Sequence, residues 1–144
     1  GTGLQGEALA NKRQVVDDAV ARVGDIAPLE ALRRLGGREL AAMAGATVAA
    51  RHRGIPVLLD GFIATAAVVP LHLAHPGSLD HVWAGHGSAE PGHVRQLDAI
   101  GKEPLLALDL CLGEGSGAVI AIPIVQAACA AVVEVATFEE FGLA

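Results

Sequence analysis

The segment Leu112-Gly113-Glu114-Gly115-Ser116-Gly117-Ala118 places glycines at alternating positions between an apolar run and a helical pattern. Glycines permit tight backbone conformations and close approach of a ligand, and the start of a helix offers free N–H groups. A carboxylate inside a phosphate-binding loop would repel the anion, so Glu114 favours general-base chemistry on a substrate N–H. The competing interpretation is that Glu114 only complements the helix dipole. The residues alone leave both interpretations open.

Three other positions have side chains that could hold a phosphorylated sugar. Asp60 and Gly61 end an apolar run, where a carboxylate can bind a ribose hydroxyl, but Asp60 could equally cap the following helix. The Ser88 hydroxyl could hold a phosphate, although capping the next helix is the commoner function of such a serine. Lys12 lies in an amphipathic helical pattern, where a lysine is usually solvated. A phosphate-binding role for Lys12 needs a reason for it to point inward.

Six histidines raise the alternative of a metal site. His86, Glu90 and His93 have spacings that could bring three ligands near one helix end, as in a zinc hydrolase. The Pro91-Gly92 pair breaks the helical register, and the sequence contains no His-Glu-x-x-His motif. We therefore expect no metal, and the zinc hydrolase is a distant alternative.

Hydrophobic periodicity predicts the elements that position these residues. Apolar runs at Ile55–Leu59, Val82–Gly85 and Leu105–Leu110 predict strands, each followed by a loop and a helix. The helices are predicted at Glu7–Val23, Leu29–Leu35 after Pro28, Glu39–Arg51, Phe62–Leu73, Pro91–Ile100 and from Ser116 onward.

Three successive strand–loop–helix units favour an α/β fold with a parallel sheet. Ligands of such sheets bind outside the carboxyl ends of the strands. We therefore expect the loops at Asp60-Gly61, His86-Gly87-Ser88 and Gly113–Gly117 to face one crevice.

The composition limits the class of protein. At 144 residues the chain fits one domain, and a net charge of −6 without a large basic cluster argues against nucleic acid as a partner. Cys111 and Cys129 have no metal-binding spacing around them, so we expect reduced, buried thiols in a cytoplasmic protein. The longest apolar stretch, Gly115–Val133, contains a proline and a glutamine. It is predicted to be a buried helix, and no membrane partner is expected.

Taken in order, six segments resemble the nicotinate-nucleotide–dimethylbenzimidazole phosphoribosyltransferase family. They are Gly-Thr-Gly-Leu, Leu-Ala-Asn-Lys-Arg, Leu-Arg-Arg-Leu-Gly-Gly-Arg-Glu-Leu-Ala-Ala-Met-Ala-Gly, Pro-Val-Leu-Leu-Asp-Gly-Phe, Ser-Ala-Glu-Pro-Gly-His and Leu-Gly-Glu-Gly-Ser-Gly-Ala. The resemblance runs from Gly1 to about Phe141. Their combination is far more specific than any one of them.

The resemblance implies the C-terminal part of the family's chain: a Rossmann-like, three-layer parallel sheet flanked by helices, incomplete without the N-terminal half. Residues 1–144 would form this part of the phosphoribosyltransferase α/β domain, with the C-terminal helix joining a small helical domain. A homodimer is implied by the family alone. The N-terminal half of relatives carries a Gly-Glu-x-Gly-x-x-Asn-Thr loop, which the present sequence does not contain.

The implied reaction transfers phosphoribose from nicotinate mononucleotide to 5,6-dimethylbenzimidazole, giving α-ribazole phosphate and nicotinate without metal or organic cofactor. This is the step that builds the lower-ligand nucleotide of cobalamin. The resemblance makes Glu114 the general base and Leu112 a wall of the base pocket. It assigns the phosphate and ribose contacts to Lys12, Asp60, Gly61, Ser88, Gly113 and Gly115.

Two positions depart from the family pattern. Cys111 stands where relatives usually carry arginine, and the segment Gly85-His86-Gly87-Ser88-Ala89-Glu90 stands where they usually have Ser/Ala-His-x-Ser-Ala-Glu. The alternative to an enzyme is a non-catalytic fragment that binds a nucleotide or assembles through an exposed sheet edge.

Overall fold

The computed structural model describes residues 3–143. These residues form six helices and three strands that agree with the predicted elements to within a few residues. The order is α1 (Gly6–Val23), α2 (Pro28–Leu35), α3 (Gly37–His52), β1 (Val57–Leu59), α4 (Phe62–Ala74), β2 (Val82–Ser88), α5 (Pro91–Ile100), β3 (Pro104–Leu110) and α6 (Ser116–Glu134).

The three strands form a parallel sheet in the order β1-β2-β3. Val57 pairs with Val82, and Ala84 pairs with Pro104. Because sequential parallel strands need crossovers, α4 and α5 connect them across one face of the sheet. The predicted parallel α/β fold is confirmed, and within residues 3–143 the sheet is open, with β1 and β3 at its edges.

The two faces of the sheet are covered differently, as neighbouring residues of β2 illustrate. Ala84 belongs to the buried core, which includes Val68 of α4 and Leu97 of α5. Gly85 points the other way, and a Cβ built on it would lie 2.9 Å from the Cα of Ala118 in α6. Since successive strand residues face opposite sides, α4 and α5 cover one face and α6 the other. The helices and the sheet therefore make the predicted three layers.

Strand β2 is longer than predicted because it continues through Ser88. His86 pairs with Leu106 and Ser88 with Leu110, so the intervening part of β3 holds extra residues and bulges. Asp109, within this bulge, has φ 51°. The expectation of a loop at His86-Gly87-Ser88 was wrong, because these residues gain backbone partners in β3 that a local pattern does not reveal.

Helix α6 is the main departure from the expected burial. Only Gly117 and Ala121 are buried, and the side chains of Val132 and Val133 are more than four-fifths exposed. The sheet covers only one stripe of α6, near the start of the helix, because the strands lie on one side of the helix. The prediction of a buried helix at this position was therefore wrong for the described residues. Strand β3 is likewise mostly exposed.

By length and composition alone, α6 is the one helix among the described residues that could cross a membrane. Core helices of soluble proteins reach the same length and apolarity. That no membrane partner exists stays a prediction.

Both cysteines are free, and both are exposed. Cys111 directly follows the edge strand β3, and Cys129 lies on the uncovered part of α6. The expectation of buried thiols was therefore wrong, for the same reason that α6 is not buried.

Candidate active site

A cleft of about 660 Å³ opens at the carboxyl ends of the three strands, bordered by α1. This is the position predicted for a ligand in an open parallel sheet. Seven of the eight predicted site residues line it: Lys12, Asp60, Gly61, Ser88, Leu112, Gly113 and Glu114. Gly115, the eighth, is tied to the cleft through its N–H group, which donates to the carboxylate of Asp60.

The glycine loop between β3 and α6 has three consecutive residues with positive φ. Gly113 has φ 83°, Glu114 has φ 57° and Gly115 has φ 81°. Glycine adopts this conformation freely, whereas a residue with a Cβ is held there at a cost of about 1–2 kcal/mol. The side chain of Glu114 is exposed at the cleft. The strained residue of the loop is therefore the one with a carboxylate.

Asp60, which directly follows β1, holds this loop from the opposite edge of the sheet. One oxygen, Oδ1, accepts the N–H of Gly117 at 2.8 Å and that of Ala118 at 3.2 Å. The other, Oδ2, accepts the N–H of Gly115 at 3.2 Å. Asp60 thus caps α6, which is distant in sequence. The alternative that it caps the following helix was wrong, because the N-cap of α4 is Gly61 and no side chain caps that helix.

Ser88 ends β2 beside the cleft. Its hydroxyl accepts the N–H of Glu90 at 3.3 Å, and its own N–H donates to Nδ1 of His93 at 2.9 Å. The N-cap of α5 is Glu90, without a side-chain cap bond. Ser88 therefore steadies the turn before the helix and leaves its O–H proton to donate elsewhere.

His93 is a buried histidine whose protonation state follows from its partners. Because Nδ1 accepts a backbone N–H from Ser88, the ring hydrogen lies on Nε2 and is donated to Oγ1 of Thr65, 2.9 Å away. Burial lowers the pKa of His93, and the nearby His86 lowers it further. The neutral ring joins α5 to β2 and α4. Sequence patterns offered no reason to single out Thr65.

His86 forms the floor of the cleft and is 3% exposed. Its Nε2 lies 3.6 Å from Oδ1 of Asp60, and its Nδ1 is buried without a hydrogen-bond partner. Gly117 lies directly on the ring, since a Cβ there would come within 1.8 Å of the His86 Cδ2 atom. A glycine at 117 is thus required for α6 to approach the histidine.

The geometry argues against the zinc alternative. Both ring nitrogens of His93 are already engaged by Ser88 and Thr65. Among residues 3–143, no group of three His, Cys, Asp or Glu side chains is placed to hold a metal ion. In the combination of His86, Glu90 and His93, the histidine at position 93 therefore has no ring nitrogen left to bind a metal ion.

Lys12 and Leu112 are exposed side chains at the rim of the cleft. Lys12 lies on α1, so its place at the cleft depends on how that helix packs beside the carboxyl ends of the strands. Leu112, between β3 and α6, is 76% exposed. The two residues thus both border the cleft, while the roles that the family resemblance implies for them stay predictions.

Comparison with known proteins gives a consistent result. A profile of the family described as phosphoribosyltransferase matches residues 1–143. Two curated relatives named nicotinate-nucleotide–dimethylbenzimidazole phosphoribosyltransferase, from Methylorubrum extorquens and Allorhizobium ampelinum, are 53% and 56% identical. Each alignment covers 99% of this chain and 43% of the relative.

Two solved structures from Thermus thermophilus have the same architecture. One, described as the phosphoribosyltransferase of the same name, superposes with a TM-score of 0.86 at 47% identity, over 96% of this chain and 42% of that one. The other, described as CobT, gives 0.90 at 48% identity over 100% and 43%. The chain thus spans less than half the length of the proteins it matches. Across that length, the chain belongs to the nicotinate-nucleotide–dimethylbenzimidazole phosphoribosyltransferase family.

Proposed function

We propose that the protein transfers phosphoribose from nicotinate mononucleotide to 5,6-dimethylbenzimidazole, with Glu114 as the general base. The observation that carries the proposal is the placement of Glu114 at the carboxyl edge of the sheet. There its carboxylate borders a cleft together with Lys12 and Ser88. The names of the relatives support the choice of substrates.

The chemistry requires a base and no acid. As one benzimidazole nitrogen forms a bond to the anomeric carbon, the bond from that carbon to nicotinate breaks. The ring nitrogen of nicotinate takes the electron pair of the broken bond, and nicotinate leaves with a neutral pyridine ring. The other benzimidazole nitrogen must lose its proton, and the Glu114 carboxylate accepts it in the transition state.

The remaining cleft residues have roles that suit phosphoribose and the base. The Lys12 ammonium and the Ser88 hydroxyl are donors for phosphate, and Gly61, Gly113 and Gly115 let ligand atoms approach the backbone. Asp60 borders the same space, but its carboxylate already accepts three backbone hydrogen bonds. The apolar wall at Leu112 suits the planar base, and Cys111 beside it is an exposed thiol in place of the arginine expected from the family.

We further propose that residues 1–144 act as the C-terminal part of a longer α/β domain. The exposed edge strand β3 and the exposed face of α6 support this, since both are surfaces that a larger fold covers. The end of α6 would then join a small helical domain. A homodimer in the cytoplasm is the state proposed for the whole enzyme, whose substrates are small molecules.

The test is nicotinate release from nicotinate mononucleotide in the presence of dimethylbenzimidazole. The chain is produced together with the part of the Methylorubrum extorquens relative that it does not align with. Glu114→Gln, which removes the base and keeps the shape, is expected to lower kcat between about a hundredfold and ten-thousandfold. The dissociation constant for nicotinate mononucleotide, measured by calorimetry, should stay within threefold.

Glu134→Gln is the matched control, because that carboxylate lies at the far end of α6. It should keep the full rate. A Glu114→Gln protein with undiminished kcat would remove Glu114 as the base. An assembled protein that binds nicotinate mononucleotide without turnover would favour the non-catalytic binding role.

A further inference from the structure

We infer that Asp60 is a positioning residue: its carboxylate holds the Glu114 loop and acts on the reaction through Glu114, not by binding ribose. The inference rests on the proposed function, since it concerns the residue proposed there as the base. It changes the role that the family resemblance suggests for Asp60.

The hydrogen bonds of Asp60 go to backbone N–H groups that follow Glu114 in the chain. They reach Gly115, the next residue in the chain, as well as Gly117 and Ala118 in the first turn of α6. A carboxylate is well suited to this position, because the bonds are charge-assisted and the start of a helix favours negative charge. Asp60 thereby ties the loop after β3 to the end of β1.

The loop needs such a tie because its backbone conformation is unfavourable. Glu114 has φ 57° between two glycines that also have positive φ. Residues held in this region persist when surrounding contacts determine them. With the Gly115 N–H bound, the chain that follows Glu114 has a set direction, and the carboxylate is aimed at the cleft.

The acceptor capacity of Asp60 is largely used within the protein. An ionised carboxylate has about four lone-pair sites, and three of them receive backbone N–H groups. The nearly buried His86 ring lies 3.6 Å from Oδ1, and the Asp60 side chain is only 16% exposed. About one acceptor site, on Oδ2, is left over, so most of the acceptor capacity of Asp60 serves the loop and not a ligand.

A residue that acts through Glu114 leaves a particular signature in a double-mutant cycle. Asp60→Ala should lower kcat on the order of a hundredfold, the effect of a small misplacement of a reacting group. The dissociation constant for nicotinate mononucleotide should stay within threefold. The double variant Asp60→Ala/Glu114→Ala should have the kcat of Glu114→Ala within threefold. Once the Glu114 carboxylate has been removed, losing the contacts that position it has no further effect.

A ribose ligand would behave differently. If Asp60 bound the ribose, Asp60→Ala would weaken nicotinate mononucleotide binding. The fold-losses in kcat/KM of Asp60→Ala and Glu114→Ala would then multiply in the double variant. Either result overturns the inference while leaving the proposed function intact. Full activity of Glu114→Ala would instead mean that the proposed base is wrong.

The assembled protein is used throughout, with circular dichroism to verify folding. Asp60→Asn is the second variant, because asparagine keeps an oxygen for Gly117 and Ala118 but turns a donor toward the Gly115 N–H. We expect its kcat between wild type and Asp60→Ala, with nicotinate mononucleotide affinity unchanged. Loss of that affinity in Asp60→Asn would overturn the inference even if Asp60→Ala does not fold. Asp80→Ala, at an exposed carboxylate near Arg51, is the control and should keep the wild-type kcat.

Discussion

At the scale of single residues, the floor of the cleft is held by polar groups with defined roles. His93 receives the Ser88 N–H and donates to Thr65, so the imidazole is in one neutral tautomer. A protonated ring could not accept from the Ser88 N–H. Local structure beneath the cleft therefore depends on His93 staying neutral.

A pH dependence of stability follows. Burial lowers the pKa of His93 in the folded protein below its ordinary value of 6.5. As the pH falls below about 6.5, the unfolded chain takes up a proton that the folded protein resists, so the free energy of unfolding decreases. Above that pH the contribution of the neutral histidine is fully present.

The measurement is urea unfolding at pH 7.5 and pH 5.5 for wild type and His93→Gln. The variant should lose less stability than wild type when the pH is lowered, because glutamine does not titrate. His52→Gln, at an exposed histidine near the end of α3, should keep the wild-type dependence. An equal decrease in the free energy of unfolding between pH 7.5 and pH 5.5 for wild type and His93→Gln would show that His93 is not the source of the pH dependence.

At the scale of elements, glycines set how closely α6 approaches the sheet. Gly85 of β2 meets the backbone of Ala118, and Gly117 covers the His86 ring. These contacts bring the start of α6 within reach of the Asp60 carboxylate. The site therefore depends on two glycines that make no contact through side chains.

Gly117→Ala is expected to destabilise the protein by about 1–3 kcal/mol, the usual cost of overpacking. A Cβ at 117 would fall 1.8 Å from a buried imidazole carbon, so the helix or the ring must move. Gly45→Ala is the control, because Gly45 lies inside α3 with nothing within 4 Å of a built Cβ.

Chemical denaturation of both variants measures the difference. Gly45→Ala should raise the free energy of unfolding by about 0.5–1 kcal/mol, since alanine is the better helix former. A Gly117→Ala protein as stable as wild type would mean that α6 does not lie against His86 as described.

At the scale of the whole molecule, α6 leaves an apolar surface uncovered by the described residues. Ile120 is 45% and Ile124 is 50% exposed, one turn apart on the same face. The chain covers 43% of its relatives' length. We expect the part of a relative that this chain does not align with to pack on this face.

Ile124→Glu should therefore weaken association with that part by tenfold or more, because a charge would be buried in an apolar contact. Val94→Glu is the matched control, with a valine 61% exposed on α5, and should change the affinity less than threefold. Calorimetric titration of the separately produced parts measures both. Equal affinities for Ile124→Glu and wild type would show that another surface makes the contact.

The sequence by itself determined the elements and the position of the cleft. Periodicity placed α5 at both ends correctly, and loops after parallel strands must meet at one edge of a sheet. The same pattern predicted that Ser88 and Glu114 would lie at that edge, whereas the place of Lys12 at the cleft was indicated by the family resemblance alone. These properties are local or follow from the chain direction of parallel strands.

Only the tertiary structure decided which groups bond across that edge. The Asp60 carboxylate reaches backbone groups 55 to 58 residues away, and the extension of β2 through Ser88 depends on pairing with β3. The exposure of α6 and of both cysteines depends on how much sheet lies beside them. Such partners and neighbours are absent from a local window of sequence, because they are set by packing between distant elements.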